Sequence, residues 1–166
     1  MNRRSNQLNI METLRQVPHA VAIMRGDQRN SQIKGNVKFY QTPQGVVIVA
    51  MIHGLPSPMG SCNNPVFAFH IHEGSSCSGT DSDNFSNVGM HYNPNRCLHP
   101  YHAGDMPPLF GANGIAYISF LSNRFTVNEI IGKTVIIHGM PDDFMSQPSG
   151  NAGNKIACGE IVKTRR

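Results

Sequence analysis

No apolar run of about 18 residues occurs in the 166-residue chain, so no segment could cross a bilayer as a helix. Residues 1–20, MNRRSNQLNIMETLRQVPHA, lack the apolar centre of a secretory signal, and the chain is expected to be cytoplasmic. Charge is scarce: 14% of residues carry one, and the 14 Lys and Arg are scattered rather than clustered. Without a basic stripe interleaved with aromatics, the formal charge of +4 supports a mild attraction for anions and points away from nucleic acid. Four cysteines are too few for a disulfide-dense scaffold, and free thiols are the default for a chain without a signal.

Turn formers, by contrast, are abundant, with 16 Gly and 11 Pro, and they separate short runs rich in Val, Ile, Phe and Tyr. Strands are expected over 19–26, 32–41, 45–54, 66–72, 114–120, 133–139 and 155–162, with QTPQG joining the second and third as a hairpin. That many short strands in one unit of this length imply an all-β sandwich or barrel. Residues 1–18 read as an extension, either a short helix or a disordered arm, and 19–166 as a single domain. Two connections, 73–113 and 139–154, are too long and aperiodic for simple turns, which marks them as functional.

The stretch FHIH places Phe67, Phe69 and Ile71 on one face of a strand and His70 and His72 on the other. Two imidazoles roughly 7 Å apart along a strand can chelate one ion, although the pattern alone more often marks a pair of ordinary surface histidines. The next connection adds His91, His99, His102 and Asp105, a tetrahedral zinc set with no open position. His138 closes the run VIIH, with Val135 and Ile137 on its apolar face. Six of the 8 histidines thus fall between 70 and 138, leaving His19 and His53 aside. The imidazole-only group His70, His72 and His138 suits copper, the group with Asp105 suits zinc, and His91 fits either.

FHIHEG, GMHYNP, HPYHAGD, IIHGMPDD and GNAGNKIACGEI together resemble the successive signatures of the copper–zinc superoxide dismutases, in order, from about His19 onward. The resemblance implies an eight-stranded antiparallel Greek-key β-barrel, an immunoglobulin-like sandwich with two long functional loops holding the metals outside it. It implies copper on His70, His72, His91 and His138, and zinc on His91, His99, His102 and Asp105, with His91 bridging as an imidazolate. Asp142 matches an acid that links a copper ligand to a zinc ligand; its plainer reading is a turn aspartate after Pro141. Cys77 and Cys158 match the family's intrachain disulfide, worth about 4 kcal/mol for a loop of this length. Cys62 and Cys97 lie outside the pattern and either pair or remain buried thiols.

The implied reaction takes superoxide to O2 and H2O2 through Cu(II)/Cu(I) cycling, with His91 taking up and returning a proton. Lys155 stands where the family usually carries an arginine that attracts the anionic substrate; its plainer reading is a solvated lysine at a strand start. The 139–154 loop is short and carries only Asp142 and Asp143 as charges, so weak electrostatic steering is expected. The stretch between Cys77 and His91 is long and holds Asp81 and Asp83, which either brake anion entry or merely solvate a loop. Two other readings compete: a metal-delivery or storage relative without turnover, and a zinc hydrolase. The first usually lacks a copper histidine, and none is missing; the second needs an open zinc position. Family members assemble as homodimers through different surfaces, and the sequence does not select one.

Overall fold

The computed structural model describes residues 8–57 and 65–165. A short helix α1 (Ile10–Arg15), capped where Asn9 accepts from the Glu12 amide at 3.1 Å, precedes the strands. Strands β1 (Ala20–Gly26), β2 (Lys34–Thr42) and β3 (Gly45–His53) follow as an antiparallel meander, with the expected hairpin between the last two. The run 66–72 forms β4 (Val66–Phe67) and β5 (Phe69–His72). After the first long connection come β6 (Leu109–Phe110), β7 (Ile115–Ser122), a helical turn α2 (Val127–Ile130), β8 (Thr134–His138) and β9 (Lys155–Lys163).

Seven strands form one antiparallel sheet in the order β5-β8-β9-β1-β2-β3-β7, and β4 pairs with β6 in a two-stranded ribbon. The run 66–72 changes partner at Ala68, whose amide donates to Met140 O (2.8 Å) while its carbonyl accepts from His138 N (2.9 Å). Counted as one strand, β4 and β5 give the eight expected strands, and their change of partner carries the chain from one sheet to the other. The non-sequential neighbours β5-β8, β9-β1 and β3-β7 give the sheet its Greek-key connectivity. Strand boundaries fall within two residues of the sequence expectation; β6 alone was hidden, being two residues long.

The barrel is filled by alternating residues. Ala20, Ala22 and Met24 of β1, Val37 and Phe39 of β2, and Ile48, Ala50 and Ile52 of β3 are fully buried in the main core. Phe67, Phe69 and Ile71 join that core, as the alternation required. A smaller cluster of Phe85, Val88, Ile136 and Cys158, with Cys77 against it, seats the long connection on the barrel's outside. Cys77 and Cys158 are disulfide-bonded across 81 residues, so this seat is covalent. Among the described residues, no helix is long and apolar enough to cross a membrane.

Candidate metal centre

The outer face of β5 is as buried as its core face, because the long connection folds back over it. That connection behaves as an extra strand edge: Ile71 N donates to Gly104 O (2.9 Å), Tyr92 N to Ile71 O (2.8 Å) and Glu73 N to Met90 O (2.9 Å). Isolated bridges place His91 opposite His72 and Asp105 opposite His70. The backbone thereby sets two loop side chains beside two strand imidazoles. Gly104 permits this approach, since a Cβ there would overlap the Ile71 carbonyl. On the other side, alternation along β8 sends His138 to the face opposite Val135 and Ile137, and the β8–β9 pairing shifts register at that residue.

Six buried imidazoles result, none more than 6% exposed. Ligand atoms of His70, His72, His91 and His138 lie within 4.8 Å of one another, as do those of His91, His99, His102 and Asp105. His91 belongs to both groups. His53 is exposed and His19 accepts from the Gln41 amide at 3.2 Å, so neither joins the cluster.

Five of the six rings are hydrogen-bonded through one nitrogen, and His102 packs beside Asp105 without such a bond. His72 donates Nδ1–H to Gly89 O (2.9 Å) and His138 donates Nδ1–H to Gly153 O (3.2 Å). Their Nε2 atoms then face each other at 3.3 Å with lone pairs and no proton between them, an arrangement that calls for a cation. Asp142, with a side chain 2% exposed, accepts from His70 Nε2 at 2.7 Å and from His99 Nε2 at 2.8 Å. The buried nitrogens without a hydrogen-bond partner include His70 Nδ1, His91 Nε2, His99 Nδ1 and His102 Nδ1. Around Asp105, His91 Nδ1 approaches one carboxylate oxygen at 2.8 Å, while His99 and His102 Nδ1 approach the other at 3.1 and 3.4 Å. The donors fit the two metals: an all-imidazole set on one side of His91 and a set with one carboxylate on the other.

The electrostatics agree. Burial pushes His70, His72, His102 and His138 below the usual histidine range, His138 down to about 3, so each presents a neutral ring. Burial alone would raise Asp142, but hydrogen bonds from His70, the Phe144 amide and His99 outweigh it and hold the acid at about 2. Asp105 is likewise lowered against its own burial, by the His91 contact and the three neighbouring imidazoles. Neutral imidazoles and ionised carboxylates are the forms that bind metal.

The structure brings every predicted side chain of the two groups together, with Asp142 linking them and also accepting from the Phe144 amide two residues on, as a turn aspartate does. Lys155 pairs with His138 in the strand register, but its ammonium is not simply solvated: it contacts Asp83 at 2.5 Å. Cys97 is exposed rather than buried, and the suggested Cys62 partner lies outside the described residues. Sequence reasoning missed the holders. Gly89 and Gly153 act through carbonyls, which carry no residue signature, and Arg124 Nη1 donates to the carbonyls of Pro100, His102 and Asp105 at 3.1–3.2 Å. Gln147 brackets His99, accepting from its amide at 3.0 Å and donating to its carbonyl at 2.7 Å.

Residues 33–161 match the family described as copper/zinc superoxide dismutase. A "Superoxide dismutase [Cu-Zn] 1" of Aquifex aeolicus is 34% identical over 150 residues, covering 81% of this chain and 83% of that protein. "Superoxide dismutase [Cu-Zn] 3" of Arabidopsis thaliana is 30% identical over 91% of this chain and 94% of its own length. An "Extracellular superoxide dismutase [Cu-Zn]" of Drosophila melanogaster is 32% identical, at 80% and 77% coverage. With the donor geometry and the matched residues in agreement, the chain belongs to the copper/zinc superoxide dismutase family.

Proposed function

We propose that this protein disproportionates superoxide to O2 and H2O2 at a copper–zinc pair, with His70, His72, His91 and His138 holding copper and His91, His99, His102 and Asp105 holding zinc. The observation that carries the reading is the pair of bare Nε2 atoms of His72 and His138 meeting beside His91, whose other nitrogen faces the carboxylate group. Copper supplies the one-electron redox chemistry when bound. His91 Nε2 is the atom that holds a proton in one half-cycle and gives it up as the peroxide forms, its ring kept in place through Nδ1. Asp142 fixes the Nε2–H tautomers of His70 and His99 together, so the two groups are oriented as a unit. Lys155 attracts and orients the anion next to His138. The four residues His91, His99, His102 and Asp105 would fill a tetrahedral zinc site and leave no position open, which suits support of His91 rather than hydrolysis.

Superoxide consumption by protein loaded with both metals, compared with His138→Ala, tests the reading. Wild type turns over while the variant loses most of its copper affinity and its activity. A fully metallated wild type without turnover would show a metal-holding relative instead.

A further inference from the structure

We propose that Asp83 is a built-in competitor for the anion-binding cation: its carboxylate occupies Lys155, so that anions reach the copper ligands only by displacing or sharing it. The inference rests on the reading of His138 as a copper ligand and of Lys155 as the cation beside it.

The carboxylate is held for this contact. Asp83 Oδ1 accepts from the Phe85 amide at 3.0 Å, leaving Oδ2 for the Lys155 ammonium at 2.5 Å. The backbone around it is tied as well: Thr80 N and Ser86 N both donate to Asp83 O, at 2.9 and 3.1 Å. Phe85 is buried in the small cluster with Cys158 and Cys77, and the disulfide fixes that cluster to β9, the strand that begins at Lys155. The acid and its cation therefore ride on one covalently closed unit. They remain open to solvent, since the side chains are 42% and 20% exposed and line a polar cleft of about 330 Å³. Asp27, Asp81 and Asp83 line that cleft together with Arg29 and Lys155, three carboxylates and two cations, so its formal charge is negative. An exposed pair of this kind is weak enough to exchange, which makes Asp83 a tunable stopper rather than a lock.

Azide titrated into the copper–zinc protein, followed by the visible copper spectrum, tests this without measuring turnover. Asp83→Asn keeps an oxygen for the Phe85 amide and should tighten azide about three- to tenfold. Asp83→Ser, a second route to the same loss of charge, should do the same. Asp81→Asn, which removes a charge from the same cleft but not from Lys155, should change affinity by less than about twofold. In a Lys155→Met background the gain from Asp83→Asn should vanish. An equal gain in that background, or equal gains from the two aspartates, means a general field and overturns the inference, as does unchanged affinity in both Asp83 variants. A wild type showing no copper absorption after loading fails the metal reading itself, whereas normal copper absorption with unresponsive azide affinity fails only the role of Asp83.

Discussion

Replacing Asp142 by asparagine should separate the two metals. The carboxylate accepts three hydrogen bonds: His70 Nε2 on one oxygen at 2.7 Å, and His99 Nε2 and the Phe144 amide on the other at 2.8 and 2.7 Å. An amide keeps one oxygen and substitutes a donor for the second. The oxygen belongs on the side with two donors, toward Phe144 and His99, which turns the NH2 group toward His70 Nε2. Two donors then meet, and His70 relieves the conflict by moving its proton to Nδ1, the bare nitrogen that faces the copper group. His99 keeps its tautomer. Gly150 shows how little room the linkage has for other solutions: its φ is +68° and a Cβ there would overlap Asp142 Oδ1.

The size of the effect follows from the acid's titration. Lowering Asp142 from 3.8 to about 2 corresponds to ~2 kcal/mol in favour of the ionised carboxylate at this position. The side chain is 2% exposed, so solvent screening removes little of that. Set against the loss of about 10–100-fold typical of removing a group that orients a metal-bound histidine, Asp142→Asn should weaken copper by about that factor and zinc by less than about tenfold. Titrating each metal against a coloured chelator on metal-free wild type and variant reads both constants. Equal losses for the two metals would refute the tautomer argument, and a copper constant within about twofold of wild type would refute the role of the linkage.

Three further outcomes follow from other parts of the molecule. Cys158→Ser opens a disulfide spanning 81 residues and should cost about 4 kcal/mol in urea unfolding; a loss under about 1 kcal/mol would mean that the 73–113 connection stays ordered by its metal contacts alone. In the metal-free protein, His70, His72, His102 and His138 are neutral when folded and take up protons near 6.5 when unfolded. Their contribution is therefore present above pH ~6.5 and lost below it, at up to ~1.4 kcal/mol per pH unit for each ring, and urea midpoints at pH 5.5 that match those at 7.5 would contradict it. Because Asp83 already occupies Lys155 and the 139–154 loop carries only acids, the rate of superoxide consumption should fall only shallowly with added salt; a steep fall would show that strong steering operates after all.

Much of this arrangement was legible because its carriers have unusual residue types at fixed periods. A histidine beside an apolar neighbour on a strand cannot face the core, so FHIH announced both the burial of Phe69 and Ile71 and the outward aim of His70 and His72. What the alternation could not say is that the outward face would be covered. That depended on Gly104 and Tyr92 bonding to Ile71 through their backbones, contacts in which the Tyr92 side chain takes no part and which Gly104 permits only by lacking a Cβ. The same limit hid the holders of the rings, the carbonyls of Gly89 and Gly153, and it hid Arg124, an arginine in an ordinary turn until the loop it grips is folded against it. Asp83 is the sharpest case. In sequence it is one of two acids in a polar loop, equally suited to solvation or to repelling anions, and Lys155 lies 72 positions away. Only closure of the Cys77–Cys158 bond and burial of Phe85 set the carboxylate on the ammonium, a contact that neither position announces in sequence. Ligands announce themselves by type; the groups that aim, restrain or compete with them are defined by distances that exist only once the chain has closed on itself.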